Sequence, residues 1–122
     1  MNNLIFIGFM GTGKTSISNL LSKKLNTKLI DIDILIEENK KMSISQIFEK
    51  LGEDSFRNFE TETLKSLHDI NNTIISCGGG IILRKENVEY LKKIGTVILL
   101  KSKPETILNR LKNTVDRPLL NN

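Results

Sequence analysis

A glycine-rich octapeptide near the N-terminus has the residue types and the spacing of a phosphate-binding loop. Gly8–Thr15 reads GFMGTGKT, which matches the P-loop pattern of two glycines that bracket four residues and precede Lys and Ser or Thr. The glycines allow backbone N–H groups to approach an anion closely at the start of a helix. Lys14 would place a positive charge on the β- and γ-phosphates, and Thr15 would offer a hydroxyl to Mg²⁺. A plain turn between strand and helix is the alternative, but the apolar run before the loop and the helix-like run after it favour the P-loop.

Two aspartates stand one residue apart at the end of a predicted strand, as Asp31-Ile32-Asp33. Alternation along the strand would send both carboxylates to the same side. One carboxylate can approach Mg²⁺ through water, because Mg²⁺ keeps several waters and takes few protein ligands. The other can accept a proton from a substrate hydroxyl, as phosphoryl transfer to an alcohol requires. A helix N-cap is the alternative for Asp33, and the pairing beside the P-loop favours the site.

Three consecutive glycines, Gly78, Gly79 and Gly80, follow another predicted strand. They remove every side chain from that stretch and expose backbone amides to a ligand that must come very close. A flexible turn is the alternative, although one glycine would suffice for it. Cys77, directly before them, is interpreted as a small buried residue rather than a reactive thiol. We therefore predict that the three glycines form one wall of a substrate pocket.

Arginine is scarce, with four Arg among 18 basic residues, so each is a candidate for recognition of carboxylate or phosphate. Arg57 and Glu60 lie three apart on a predicted helix, where Glu60 would hold Arg57 for a bidentate contact with a substrate carboxylate. From these two residues alone, an exposed ion pair of little consequence is the favoured interpretation. Arg117 follows the last predicted helix and would close on phosphates, with a plain surface loop as the alternative.

The composition is that of one ordinary globular domain, with 122 residues, 39% hydrophobic residues and a net charge of +4. The lysines are scattered, so we expect no nucleic-acid surface. No apolar run approaches the length of a membrane span, and a single cysteine excludes a disulfide framework. We expect a cytoplasmic monomer that acts on a small molecule and has no nucleic-acid or membrane partner.

Apolar strands alternate with amphipathic helices, which predicts an α/β fold with a central parallel sheet covered on both faces. Ligands then bind at the carboxyl ends of the strands, where the P-loop, the aspartates and the three glycines are predicted to lie. The predicted strands are Leu4–Ile7, Lys28–Asp31, Thr73–Ser76 and Thr96–Leu100. The predicted helices are Lys14–Leu25 (with Ile17, Leu20, Leu21 and Leu25 on one face), Asp33 to about Lys40, Ser43–Leu51, Glu53 to about Ile70, Arg84–Lys93 and Pro104–Lys112.

Five motifs, taken together and in this order, resemble those of the shikimate kinase family over essentially the whole chain. They are GFMGTGKT at Gly8–Thr15, DID at Asp31–Asp33, FRNFE at Phe56–Glu60, GGG at Gly78–Gly80 and RPLL at Arg117–Leu120. The resemblance implies a three-layer P-loop kinase fold that uses ATP and Mg²⁺ to phosphorylate the 3-hydroxyl of shikimate, in aromatic amino-acid biosynthesis. It also reverses the surface interpretations of Arg57 and Arg117.

The resemblance further implies roles for individual residues. The ATP phosphates would be held by Gly11, Thr12, Gly13, Lys14, Thr15 and Ser16, with Arg110 along the adenine and Arg117 as the lid arginine. Shikimate would contact Asp33, Arg57 and Gly79, with Gly78, Gly80 and Glu60 beside them and Ile44, Phe48 and Phe56 lining the pocket. The catalytic residues would be Asp33 as the base, Lys14 and Arg117, while Mg²⁺ would be held by Thr15 with Asp31 nearby.

The family continues past the lid into a further strand and helix that carry a second arginine for the substrate carboxylate, whereas this sequence ends at Asn122. We expect a single domain over residues 1–122, with substrate-binding helices at about 33–61 and the start of a lid at about 113–122, lacking that final strand and helix. One alternative is another small-molecule P-loop kinase, of the gluconate or nucleoside monophosphate type, and FRNFE and GGG argue against it. The other alternative is a nucleotide-binding module without catalysis, which the early chain end favours.

Overall fold

The computed structural model describes residues 2–8 and 14–100, except for the side chains of residues 14–16. Within this part, strands and helices alternate as predicted. The strands are β1 (Asn3–Gly8), β2 (Lys28–Asp31), β3 (Thr73–Gly78) and β4 (Gly95–Leu100). The helices are α1 (Lys14–Leu25), α2 (Ile32–Lys40), α3 (Ile44–Leu51), α4 (Glu53–Lys65) and α5 (Lys85–Ile94), with a 3₁₀ helix at Gly79–Leu83. The predicted helix Pro104–Lys112 lies outside the described residues.

The four strands form a parallel sheet in the order β2-β3-β1-β4. The two central strands, β1 and β3, end side by side, because Gly8 is paired with Gly78. The neighbouring strand β2 ends at Asp31, which is paired with Ser76. The carboxyl ends of these three strands therefore share one edge of the sheet, and the predicted parallel α/β fold is confirmed.

Both faces of the sheet are covered, so β1 is buried along its whole length. Ile5 and Ile7 pack in a core shared with α2, α3, α4 and α5, whereas Leu4 and Phe6 pack in a second core shared with α1. Successive strand residues face opposite sides, and burial on both sides requires a continuous apolar run. The described part of the chain thus has three layers, as the resemblance implied.

Local signals in the sequence set the boundaries of the helices that follow β2. The side chain of Asp31 caps α2 by accepting a hydrogen bond from the backbone N–H of Ile34 at 3.2 Å. Ser43 and Gln46 form a capping box at the start of α3. Gly52, with φ at +87°, separates α3 from α4 in a conformation that other residues rarely adopt. These boundaries lie within one residue of the predicted ones.

One helix is shorter than its apolar spacing predicted. The helix α4 ends at Lys65 rather than near Ile70. Just beyond that end, the Ser66 hydroxyl donates to the carbonyl of Thr63 at 2.6 Å, a local bond of the kind that competes with helix continuation. Leu67 remains 5% exposed in the turn that follows, so the apolar pattern continues although the helix does not.

The buried stripe of α1 is also narrower than predicted. Ile17 and Leu21, one helical turn apart, pack on the sheet with exposures of 0% and 4%. Leu20, predicted on the same face, is 49% exposed. Among the described helices, α1 alone packs on this face of the sheet, so it buries a narrow stripe that leaves Leu20 outside.

Candidate active site

Among the described residues, Asp33, Arg57 and the three glycines lie near the edge where β1, β2 and β3 end. The P-loop connects the end of β1, next to Gly78, with the start of α1 at Lys14. Its residues 9–13, the side chains of Lys14, Thr15 and Ser16, and the arginines Arg110 and Arg117 lie outside the description that the structure provides. Their assignments stay predictions.

The two aspartates play different structural parts, contrary to the prediction that strand alternation aligns them. The strand ends at Asp31, and the chain turns directly into α2 at Ile32, so Asp33 stands in the first helical turn. The N-cap considered for Asp33 is formed by Asp31 instead. Asp33 faces the glycine segment, since a Cβ atom built on Gly78 would lie 3.6 Å from its Oδ2 atom. The helical turn therefore aims Asp33 at the end of β3.

Arg57 and Glu60 form a shielded ion pair rather than the exposed one that the two residues alone suggested. Nη1 of Arg57 lies 2.8 Å from Oε1 of Glu60, and the two side chains are 18% and 1% exposed. Nε of Arg57 also lies 3.4 Å from Glu53, whose side chain is 60% exposed. A carboxylate as buried as Glu60 is stable only with a charged or hydrogen-bonding partner, so it holds the guanidinium firmly in place.

Within the glycine segment, Gly80 is required by space. A Cβ atom on residue 80 would overlap the guanidinium of Arg57, lying 2.6 Å from Cζ. Such a distance is far inside van der Waals contact, so any larger residue would displace Arg57. Gly79 is buried, and Gly78 and Gly80 are half-buried. The segment therefore brings Asp33 and Arg57 against one stretch of bare backbone.

Charges within this cluster perturb one another. Burial raises the pKa of Glu60, Arg57 lowers it and the charge of Asp33 raises it, with the net pKa above the usual value. Burial lowers the pKa of Arg57, but Glu60 and Glu53 outweigh burial and raise the net pKa. The guanidinium of Arg57 is thus charged at every physiological pH. It contacts two carboxyl groups of differing exposure, those of Glu60 and Glu53, and Asp33 lies within electrostatic range of Glu60.

Aromatic residues line one side of the ion pair. Phe56 is 4% exposed, and its ring centroid lies 4.9 Å from that of Phe48, which is 38% exposed. Cζ of Arg57 lies 5.1 Å from the centroid of Phe56, close enough for a cation–π contact. Ile44 is half-buried against the same core. The surface next to Arg57 therefore suits a small ring with one anionic group.

Three polar residues near the cluster were missed by sequence reasoning. Thr61 and Asn87 are buried and hydrogen-bonded to each other at 2.9 Å, and Arg84 donates to Thr61 at 3.3 Å. Arg84 is one of the four scarce arginines, but no motif in the sequence assigns it a specific role. Nothing in the local sequence distinguishes Asn87 from an ordinary residue in the first turn of a helix.

Neither a cluster of metal-ligating side chains nor a membrane-spanning helix is present among the described residues. No three His, Cys, Asp or Glu side chains in residues 2–8 and 14–100 cluster closely enough to hold a metal ion. In the same part of the chain, each helix is too short or too polar to traverse a lipid bilayer.

Comparison with known proteins identifies the family to which this chain belongs. The family model described as shikimate kinase matches residues 10–122. The chain belongs to the shikimate kinase family. It is 46% identical over 120 residues to a shikimate kinase of Thermodesulfovibrio yellowstonii, a match that covers 98% of this chain and 69% of that protein. The structure of shikimate kinase from Acinetobacter baumannii in complex with shikimate matches with a TM-score of 0.79 and 36% identity, over 97% of this chain and 66% of that one.

Family membership confirms the predicted enzyme class and P-loop kinase fold, and it implies ATP as the phosphoryl donor. It also weighs against the gluconate-type alternative. A gluconokinase from Sinorhizobium meliloti 1021 covers 98% of this chain with a TM-score of 0.53 but only 13% identity, a likeness in fold alone.

Proposed function

We propose that this protein transfers the γ-phosphoryl group of ATP to the 3-hydroxyl of shikimate, a step of aromatic amino-acid biosynthesis. The observation that carries the proposal is the placement of Arg57. Its guanidinium lies against Gly80, is held by buried Glu60, and shares one end of the sheet with Asp33. A cation for a carboxylate and a carboxylate for a hydroxyl are what recognition of a small hydroxy acid requires.

Arg57 would receive the shikimate carboxylate. Within residues 2–8 and 14–100, its hydrogen bonds use Nη1, to Glu60, and Nε, to Glu53, which leaves Nη2 for the substrate. A guanidinium that is already oriented loses less conformational freedom on binding than a free one. Glu60 therefore lowers the entropic cost of binding, and Gly79 and Gly80 let the ring approach the backbone.

Asp33 would accept the proton of the 3-hydroxyl as that oxygen attacks. Its carboxylate faces Gly78 from the first turn of α2, and it interacts electrostatically with Glu60. A base within hydrogen-bond reach of the nucleophile typically contributes about 100- to 10,000-fold to the rate. Phe48 and Phe56 would complete the pocket and reduce access of competing water.

On the donor side, the N-terminus of α1 suits a nucleotide phosphate. The helix α1 begins at Lys14 with no acidic residue in its first turn, so its positive end favours an anion. The phosphates would contact Gly11, Thr12, Gly13, Lys14 and Ser16, with Arg110 beside the adenine and Arg117 in the lid. Mg²⁺, when bound, neutralises developing charge, and Thr15 and Asp31 would hold it directly or through water.

An ADP-release assay that compares shikimate, gluconate and AMP as acceptors tests the proposal in the protein expressed from its complete natural reading frame. We expect turnover with shikimate alone. Selective turnover of gluconate or AMP would contradict the proposal, and ATP binding without turnover would favour a nucleotide-binding module.

We propose in addition that residues 1–122 belong to one domain, with the lid beginning at about 113–122, and that the protein is a monomer. Light scattering at several concentrations tests the second point, and limited proteolysis with and without ATP tests the first. A protected fragment that ends well before residue 113 in both conditions would contradict the single domain.

A further inference from the structure

A buried polar network joins the helix that carries Arg57 to the 3₁₀ helix that carries Gly80. On α4, the Thr61 hydroxyl lies 2.9 Å from Oδ1 of Asn87, a residue in the first turn of α5. The Nδ2 amide of Asn87 donates to the carbonyl of Ile81 at 3.0 Å. Asn87 is 2% exposed and Thr61 is 8% exposed, so water cannot easily replace either partner.

The directions of these hydrogen bonds follow from their chemistry. A carbonyl only accepts, so the Asn87 atom beside Ile81 is the amide nitrogen, and its oxygen faces Thr61. The Thr61 hydroxyl has one proton, and Oδ1 of Asn87 at 2.9 Å is a closer acceptor than the carbonyl of Arg57 at 3.2 Å. Arg84 donates to the same hydroxyl at 3.3 Å. The result is one donor chain from Arg84 through Thr61 and Asn87 to Ile81.

The 3₁₀ helix, at the end of this chain of hydrogen bonds, has little rigidity of its own. The 3₁₀ helix has only five residues, and 3₁₀ hydrogen bonds have poorer geometry than those of an α-helix. Its N-cap residue is Gly78, which has no side chain with which to cap the helix. Asn87 donates a hydrogen bond to the carbonyl of Ile81, the residue directly after Gly80. The backbone of Gly80 in turn lies against the guanidinium of Arg57. A shift at Ile81 therefore moves the surface on which Arg57 rests.

We propose that Asn87 and Thr61 are positioning residues for the acceptor substrate, because they hold the backbone of Gly80 against Arg57. The proposal rests on the proposed function, since Arg57 is the group that would bind the shikimate carboxylate. Neither residue touches the substrate. Each acts through the distance between α4 and the 3₁₀ helix, which sets the position of the guanidinium.

Two substitutions of Thr61 and one of Asn87 test the proposal in the full natural-length protein. Thr61→Val keeps the shape and removes the hydroxyl, Thr61→Ser keeps the hydroxyl, and Asn87→Leu removes the amide at similar volume. A buried polar group without a partner is costly enough to shift the local equilibrium between the held and the displaced 3₁₀ helix by about tenfold or more. We therefore expect Thr61→Val and Asn87→Leu to raise the KM for shikimate by about tenfold. The KM for ATP stays within about twofold, and Thr61→Ser stays near the natural value.

Tyr90→Phe is the matched control. The Tyr90 hydroxyl lies 3.4 Å from the carbonyl of Lys65, so it joins the same two helices, α5 and α4, at an exposed position away from Gly80. We expect no change in either KM for this variant. A rise in the KM for shikimate in Tyr90→Phe equal to that in Thr61→Val would overturn the proposal, because general loosening of the helix pair would then explain both.

A second readout separates positioning from general destabilisation. The natural protein is expected to prefer shikimate over its neutral carboxamide, because the amide lacks the charge that Arg57 binds. That preference should fall in Thr61→Val and Asn87→Leu and recover in Thr61→Ser. An unchanged preference, or equal increases in the KM values for shikimate and ATP, would overturn the positioning role. Failure of the natural protein to phosphorylate shikimate would instead refute the proposed function.

Discussion

The guanidinium of Arg57 rests on the backbone of Gly80 so closely that a Cβ atom on residue 80 would lie 2.6 Å from Cζ. Nη1 of the same guanidinium lies 2.8 Å from Glu60, which is 1% exposed. Among the described glycines only Gly52 has a positive φ, so Gly80 is needed for space and not for its backbone conformation. This one contact connects the FRNFE and GGG motifs, which stand about 20 residues apart in the sequence.

We expect Gly80→Ala to raise the KM for shikimate by about tenfold or more, because a small displacement of a substrate-positioning group is costly. Stability should fall by about 1–3 kcal/mol, because displacing the guanidinium weakens its ion pair with buried Glu60. Gly78→Ala is the comparison within the same pocket wall, because its Cβ atom would make an ordinary contact, 3.6 Å from Asp33, and would leave Arg57 in place. Steady-state kinetics and urea unfolding measure both effects. Equal KM values in the two variants would contradict the argument.

Glu60 and Glu53 both contact Arg57 but differ in exposure, at 1% and 60%. Glu60→Gln removes the buried charge that orients the guanidinium, and we expect the KM for shikimate to rise about fivefold or more. Glu53→Gln should change it by less than about twofold, because an exposed ion pair contributes little. Initial-rate measurements at saturating ATP decide the matter. If both substitutions have the same effect, burial is not what makes Glu60 important.

The raised pKa of Glu60, caused mainly by burial and partly offset by Arg57, predicts a pH dependence of stability. The folded protein binds this proton more tightly than the unfolded chain does. The group's contribution to stability is therefore fully present at pH values below the unfolded pKa, near 4.5, and is lost as pH rises through the raised folded pKa.

We expect the unfolding free energy of the natural protein, relative to that of Glu60→Gln, to fall as pH rises above this point. Urea titrations at two pH values, one near 4 and one near neutrality, measure the difference. A difference that grows with pH would mean that pairing with Arg57 outweighs burial.

We expect Asp33→Asn to lower kcat by about 100-fold or more, because an amide cannot accept the proton of the attacking hydroxyl. The affinity for ATP should change little, since Asp33 faces Gly78 at the acceptor side. Single-turnover kinetics together with ATP titration test both statements. A kcat near that of the natural protein would remove Asp33 from the role of base.

A prediction about stability concerns the end of the sheet where β1 begins, opposite the candidate site. The side chain of Asn3 is 2% exposed; it donates to the carbonyls of Ile70 and Ile94 and accepts from the backbone N–H of Thr73. Asn3→Ala would remove the Asn3 hydrogen bonds of two buried backbone groups and one partly buried group, at about 1–3 kcal/mol for each buried group before relaxation. We expect a loss of about 3 kcal/mol or more in urea unfolding, whereas the exposed neighbour Asn2→Ala should change stability by less than about 0.5 kcal/mol. A loss near that of Asn2→Ala would show that water replaces these bonds.

Local sequence signals predicted much of the fold. The apolar runs of the strands, the Ser43 capping box and the Gly52 stop are short-range patterns, so the elements appeared nearly where expected. Predictions from short-range patterns were wrong where packing against other elements determines whether a residue is buried or helical. Leu20 has the right spacing for burial but lies beyond the contact of α1 with the sheet. Likewise, Leu67 is buried in a turn that its spacing assigned to a helix.

The same distinction between local sequence signals and tertiary packing applies to the candidate site. The motifs of the sequence determined the shikimate kinase family, and residue types alone predicted a phosphate loop, a pair of site aspartates and a glycine wall. Only the tertiary structure decided that Asp31 caps α2 while Asp33 faces Gly78, because the turn into the helix overrides strand alternation. Only the tertiary packing showed that Arg57 and Glu60 form a shielded pair rather than an exposed one, with the guanidinium against Gly80 of the 3₁₀ helix. The physical reason is that burial and the distance between separate elements depend on residues far apart in the chain, which local spacing does not encode.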